Sequence, residues 1–414
     1  MQPENLFGMA LGIVHPWEVT EVRFSKEANR LDIMIDFKKG STFLCPVCGA
    51  SSVVYDTSEK TWRHLNFFQY EAYLHARIPR IDCGGKDCGV KQVQVPWARQ
   101  GSGFTLLFEA LVMTMSREMP INVIARLHNV NDKRLWRIID AYIQQARSKE
   151  SFKDVKHLGI DETSVKKGKK GKDFISFFFD LDRRKLLFGT EGKDSNTVNV
   201  FVDDFKSHGG DPEKITDVAI DMSKAFIKGV EEQLPNAEKT FDKFHVIKLM
   251  NEVLSEVRAA EAKQFPEALR NSRYLFLRNH ESLSPDEVKK IDEILENHCH
   301  KTLEAYTHKL NLQNVYLAES RLEAETLLTR WHANASKSEL RQIRKMAKTI
   351  KKHWDGILNH FDSMLTSGFI EGINSLIQAA KARARGYRNP RNMISIAYLI
   401  AGKLKFNGLY SLPT

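Results

Sequence analysis

The chain has 414 residues, 42% of them hydrophobic, and 62 Lys plus Arg against 52 Asp plus Glu give it a net charge of +10. A chain of this length can bury more than one core, so two to four structural units are expected and disorder is not the default reading. The basic balance fits a nucleic-acid partner, and as well a ribosomal or membrane-surface protein, but its placement is informative. Between Trp331 and Lys405 there are 14 Lys plus Arg and 4 Asp plus Glu, and the rest of the chain holds 48 of each sign.

Leu6 to Val14 is apolar but short, follows Glu4 rather than a basic stretch and has no small-residue cleavage site, so it does not read as a signal peptide. No segment is long and apolar enough to span a bilayer. Residues 1–100 combine short β-rich runs, such as Leu31 to Phe37, with two cysteine pairs, and read as a zinc-ribbon-like DNA-binding module. Cys45-x2-Cys48 and Cys83-x4-Cys88, each followed by glycine, could give four thiolates to one tetrahedral Zn²⁺, stabilising a module whose core is small. His64 or His75 could replace one cysteine, and reduced structural cysteines are the plain alternative. Cys299, between His298 and His300, has no partner pair and reads as surface or packing. This cysteine usage suits a reducing cytoplasm.

In residues 101–150 the apolar positions recur at helical spacing. Ile121 to His128 and Lys133 to Ile139, joined across Asn129-Val-Asn131, predict a helix-turn-helix. Asn131, Lys133, Arg134 and Arg137 are its candidate DNA contacts.

Residues 151–245 change period. Strand-like runs at His157 to Asp161, Phe174 to Asp180 and Lys185 to Thr190, a helix near Val198 to Phe205 and a strand at Val218 to Asp221 predict an α/β sheet of RNase H type. The lysine- and glycine-rich Val165 to Lys172 reads as a hairpin tip. Residues 246–362 are helical, charged and Leu-rich, too long for a connection, and read as an all-helical insertion. Residues 363–414 return to the catalytic domain with a helix from about Ser367 to Arg385 and a basic tail helix reaching Leu409. The fold class is thus a multidomain α/β protein.

Phosphodiester chemistry is commonly performed with two Mg²⁺ ions held by a few converging carboxylates. Asp161 and Asp221 each close an apolar strand. Glu371 lies beside the apolar stripe Ile370, Ile373 and Ile377, on a polar face shared with Asn374, Ser375, Gln378 and Arg385. The plain alternative is two turn-capping aspartates and a solvated helix acid. Lys337 to Lys352 forms a basic helical run, and Lys381, Arg383, Arg385, Arg388 and Arg391 follow Glu371; phosphate neutralisation is their natural use. Trp331 could stack on an unpaired base, although such a residue is more often core.

Gly159-Ile-Asp161-Glu, Ala219-Ile-Asp221-Met-Ser, Phe241-Asp-Lys-Phe-His245 and Phe369-Ile-Glu371-Gly-Ile-Asn374, in this order, resemble the bacterial DDE transposases of the ISL-three family. The resemblance extends to both cysteine pairs, Trp62-Arg-His-Leu65, the helix-turn-helix and Ala384 to Asn389. It implies Asp161, Asp221 and Glu371 as a catalytic triad binding two Mg²⁺ or Mn²⁺ ions, with Asp242 and His245 as accessory residues. It further implies cleavage at the ends of an insertion sequence and transfer of the freed 3′-hydroxyl to target DNA. The implied partners are double-stranded DNA, as terminal inverted repeats and target, and further copies of the chain in a dimer or larger assembly. No membrane is implied, and the expected location is the bacterial cytoplasm, at the nucleoid. A transposase-derived regulator without catalysis and an RNase H-like nuclease without strand transfer are the competing readings.

Overall fold

Alternation along Leu31, Ile33 and Ile35 buries all three side chains on one side of a strand. The computed structural model describes residues 2–85, 88–165, 174–278, 280–296, 299–363 and 368–406. The chain forms two units, Met1–Arg147 with the segment from Leu404, and Ser148–Lys403.

The first unit opens with α1 (Pro3–Ala10), then β1 (Trp17–Ser25), β2 (Arg30–Phe37), β3 (Thr42–Leu44), β4 (Ser51–Arg63), β5 (Glu71–Asp82) and β6 (Val90–Gln92). They make one sheet in the order β1-β2-β5-β4-β3, with β6 paired to β5. Trp17, Leu31, Ile33, Trp62, Leu74, Ile81 and Trp97 fill its core. The module expected to depend on zinc for want of a core therefore has a substantial one. The cysteines sit at its periphery, after β3 and β5.

α2 (Leu106–Glu118), α3 (Ile121–Leu127) and α4 (Asp132–Arg147) follow. Pro120 sets the entry to α3, and Asn129, with φ 50°, turns the chain between α3 and α4. The buried Glu109 ties the bundle together, accepting from Arg99, Ser102 and Tyr142 at 2.6–3.3 Å. The segment from Leu404, assigned from sequence to the other unit, belongs here, with Arg117 stacked 5.9 Å over the Phe406 ring.

The second unit contains β7 (His157–Ser164), β8 (Phe174–Asp180), β9 (Lys185–Glu191), α5 (Asn196–Ser207), β10 (Asp217–Ile220), α6 (Lys224–Gln233) and β11 (Glu238–Phe241). The sheet order is β11-β10-β7-β8-β9. β7, β8 and β9 are antiparallel, whereas β10 runs parallel to both β7 and β11. Leu158 and Ile160 point to one face of β7, into the core that Phe178 shares with Phe201 of α5, ring centroids 4.3 Å apart. Gly159, Asp161 and Thr163 point to the other.

Beyond β11 the described chain is helical: α7 (Lys243–Glu261), α8 (Arg273–Leu277), α9 (Pro285–Glu296), α10 (His300–Val315), α11 (Arg321–Lys337), α12 (Arg341–Lys352), α13 (Trp354–Leu358) and α14 (His360–Ser363). Their buried residues join the core beneath the sheet, so this helical stretch packs as part of the unit. α15 (Gly368–Arg383) and α16 (Pro390–Ala401) then cover the Gly159 face. α16 departs from the basic tail helix expected: Met393, Ile396, Ala397 and Leu399 are buried, and its one cation is Arg391 in the first turn. The hairpin tip expected at Val165 to Lys172 falls almost wholly outside the described residues, as does the tail beyond Phe406. Among the described residues no helix is long and apolar enough to cross a membrane.

Candidate functional site

Parallel register brings the aspartates together. Ala219 of β10 pairs with Gly159 of β7, and Asp221 and Asp161 each stand two residues further along. Ile220 pairs in turn with Phe241, so Asp242 continues the row across β11. Asp221 and Asp242 thus follow the last residues of β10 and β11, beside Asp161, which is not the strand end expected: β7 runs on to Ser164, paired with β8. β11 was missed in the sequence reading because it is short, although Phe241-Asp242 repeats the apolar-then-acid step of Ile160-Asp161 and Ile220-Asp221.

α15 lies along β7 in step with it. Ile370 covers Gly159, Asn374 donates to Asp161 Oδ2, Gln378 donates to Thr163 Oγ1, and Lys381 Nζ donates to the Ser164 carbonyl at 2.6 Å. Four helical residues rise about 6 Å and two strand residues about 6.6 Å, so the ladder stays in register over several rungs. Glu371 is half-buried, one residue past Ile370 and one turn before Asn374. Only Gly fits the first rung, because a Cβ on Gly159 would collide with Ile370 Cδ1 and lie 2.9 Å from Leu181 Cδ2. Gly159→Ala is expected to cost about 1–3 kcal/mol in urea unfolding. Adding Ile370→Val, which removes Cδ1, should recover part of that loss; strictly additive losses would show that the contact is not what constrains the site.

Burial raises the Asp161 carboxyl to about 6, with the neighbouring Glu162 and Asp221 charges adding to it. The Glu162 amide opposes this by donating to Asp161 Oδ1 at 2.7 Å. Glu162 is itself raised by burial and by Asp221, and has Lys193 at 3.9 Å. Asp221 Oδ1 accepts the Ser223 amide at 2.9 Å. Asp242 caps α7 through the Phe244 amide and holds His245 Nδ1 at 3.1 Å. Burial lowers His245, but Asp242 and the charges of Asp161 and Asp221 outweigh it and raise the imidazole overall. The pocket is thus strongly anionic, with a carboxylate short of compensation, a donor set that suits hard divalent cations. Among the described residues the acids do not gather as closely as the four cysteine sulfurs.

Those sulfurs, of Cys45, Cys48, Cys83 and Cys88, all lie within 4.8 Å of one another, Cys48 and Cys83 at 3.2 Å. Sulfurs on a zinc tetrahedron stand roughly 3.8 Å apart. Amides of Cys48 and Val47 point at the Cys45 sulfur and bring its thiol down to about 6, favouring the thiolate a metal requires. Neither histidine joins: His64 bonds Thr105 Oγ1 at 2.8 Å, and His75 lies between Asp32 and Thr61. Cys299 is buried packing.

On α4, Lys133, Arg134 and Arg137 are exposed on neighbouring turns. Asn131 does not share that role freely, since its Oδ1 caps the helix by accepting the Lys133 amide at 2.9 Å. Arg134 stacks 4.3 Å over Phe104. Lys381, expected on phosphate, is engaged with β7, whereas Arg385 and Arg388 are exposed. Trp331 corrects the base-stacking expectation: it is 2% exposed and donates its indole N–H to the His308 carbonyl at 2.8 Å.

Three family profiles match in chain order: a zinc finger of transposases over residues 41–88, a helix-turn-helix domain of the ISL3 transposase family over 93–143, and a transposase domain over 158–397. Cysteine knuckles, a helix-turn-helix and an acid-lined mixed sheet, carried in that order, define a transposase. The chain belongs to the ISL3 family, whose transposase domain covers more than half of it. It is 25% identical to the transposase of insertion sequence element IS1001 from Bordetella parapertussis, over 84% of this chain and 86% of that one. It is 24% identical to the transposase of element IS1557 from Mycobacterium tuberculosis, over 96% of both.

Proposed function

We propose that this transposase cuts the ends of an insertion sequence and joins them to target DNA, with Asp161, Asp221 and Glu371 as the acids of an RNase H-like domain interrupted by the helical stretch of α7 to α14. The row of Asp161 and Asp221 on adjacent parallel strands, crossed by the helix that carries Glu371, carries this reading. The strand order, three antiparallel and then two parallel with β7 central, supports the RNase H-like assignment.

These three acids would hold Mg²⁺ or Mn²⁺. Two such ions stabilise the attacking and leaving oxygens of the phosphodiester. Asn374 orients Asp161, and Asp242 orients His245 toward both aspartates. Lys133, Arg134 and Arg137, with Arg385 and Arg388, are the proposed phosphate and base contacts. The four cysteines would hold a structural Zn²⁺. Terminal inverted repeats and target DNA are the substrates. Two ends must be brought together, which calls for a dimer or larger assembly, acting in the cytoplasm at the nucleoid.

Incubation of the purified chain with labelled element-end duplex and Mg²⁺ should release nicked or cleaved ends and then joined products. Cleavage without joining would leave only the nuclease reading, and binding without cleavage across metals would leave the regulator.

A further inference from the structure

The active-site reading does not use the most basic helix of the protein. α12 buries Ile343, Met346, Ala347 and Ile350 on one side. Arg341, Lys345, Lys348 and Lys352 form a stripe at i, i+4, i+7 and i+11 on the solvent side, with Arg344 and Lys351 beside it, all exposed. Among the described residues none of these six cations forms an ion pair. Arg344 instead donates to the Ser338 and Glu339 carbonyls. Glu252 and Glu256 of α7 line the groove beside Arg341 and Lys345, and Gln342 takes up Glu256 at 3.1 Å.

Beyond the stripe the chain packs on β11, the strand that precedes Asp242. His353 packs edge-on against Phe241 of β11, with ring centroids 4.9 Å apart. Gly356 fits where a Cβ would press on Phe241 and on the Lys239 carbonyl. Lys352 and His353 line a cavity of about 670 Å³ together with Lys224, Lys228 and Lys239, and with the acids Glu231, Glu238 and Asp355. Lys239 is held by Glu231 at 2.9 Å, but Lys224, which opens α6 three residues after Asp221, has no ion pair among the described residues.

We propose that the solvent face of α12 is a second DNA-binding surface, a sequence-independent track for the phosphate backbone of duplex DNA that continues past Lys352 and Lys224 to the strand-end acids. It rests on the proposed DNA-cutting function for its partner. The stripe rises about 16 Å from Arg341 to Lys352. A duplex of that length presents roughly five phosphates per strand, so several can be met at once. Arg344 is held by backbone carbonyls and Lys351 Nζ lies 4.6 Å over the Trp354 ring, but Arg341, Lys345, Lys348 and Lys352 form no ion pair among the described residues, and such a face backed by a buried apolar side is complementary to that ligand.

The test measures binding of the full-length chain to a fluorescent duplex of random sequence across a salt series. Lys348→Gln/Lys352→Gln is compared with Lys289→Gln/Lys290→Gln, which removes the same charge from exposed positions on α9. The α12 pair is expected to lower the slope of log affinity against log salt by roughly 2, with the α9 pair close to wild type. DNA should also protect Lys348 and Lys352 of the wild type from amine acetylation. Equal slopes for the two pairs, or unprotected lysines, would overturn the track while leaving cleavage intact. A track that persists in a protein unable to cut DNA would instead count against the catalytic reading.

Discussion

Asp161→Asn is expected to abolish strand cleavage, by on the order of 10³-fold or more, while leaving the protein at least as stable as the wild type. The two effects have one cause. An acid that holds a cation against the negative charge developing in the transition state contributes several kcal/mol there, and each 1.4 kcal/mol is about tenfold in rate. The same carboxylate is a burden on the resting fold, because burial raises it to about 6 and Glu162 and Asp221 add like charge. Asparagine keeps the size and can still accept the Glu162 amide, which now bonds Oδ1 at 2.7 Å, so the charge is lost without a cavity. Cleavage of labelled ends, binding of the same DNA and thermal melting decide the matter together. Glu371→Gln should match it in activity and binding. A variant that cuts normally would remove Asp161 from the chemistry, and one that melts early would make its role structural.

The second large effect concerns zinc. Cys83→Ser should abolish stoichiometric zinc, read by mass spectrometry of the native protein, and greatly weaken recognition of element ends. It should not unfold the unit. β3 and β6 are three-residue strands flanking the knuckles, whereas β2 and β5 are long, parallel-paired and filled with Leu31, Ile33, Leu74 and Ile78. Losing the metal removes the tie between the Cys45–Cys48 turn and the Cys83–Cys88 turn but leaves that core in place. Hydrogen exchange should therefore lose protection in β3 and β6 and keep it in β2 and β5. Collapse of protection throughout would show that the metal carries the fold of the whole module.

How far these sites were legible before the structure depended on range. The cysteine pairs, the two helices around Asn129 and the strands carrying Asp161 and leading to Asp221 could be read because each is a local pattern of spacing or period, although β7 runs on past Asp161 to Ser164. β8 was located to the residue for the same reason, its Phe-rich run being bounded at Asp180. Open alternatives were settled where local pattern and tertiary setting part. Trp331 has the same sequence appearance whether it stacks on a base or in a core, and packing against α10 decided for the core. Asn131 and Lys381 look like free polar side chains until a helix cap and a strand end take them up.

Composition, spacing and period by themselves determined a modular protein with two cysteine pairs, a helix pair around Asn129 and acids after apolar runs, with a basic C-terminal stretch. The DNA-handling reading came from the resemblance of its motifs to a transposase family. Only the tertiary structure decided that Asp242 joins the row of Asp161 and Asp221, that Asn374 rather than a distant residue holds Asp161, and that Gly159 is the rung letting α15 approach. It also decided that α12 buries Ile343, Met346, Ala347 and Ile350 and leaves its cations exposed. These are matters of strand register and helix crossing, set by contacts between residues as many as two hundred positions apart. A side chain's period records which way it faces, but not which partner arrives there.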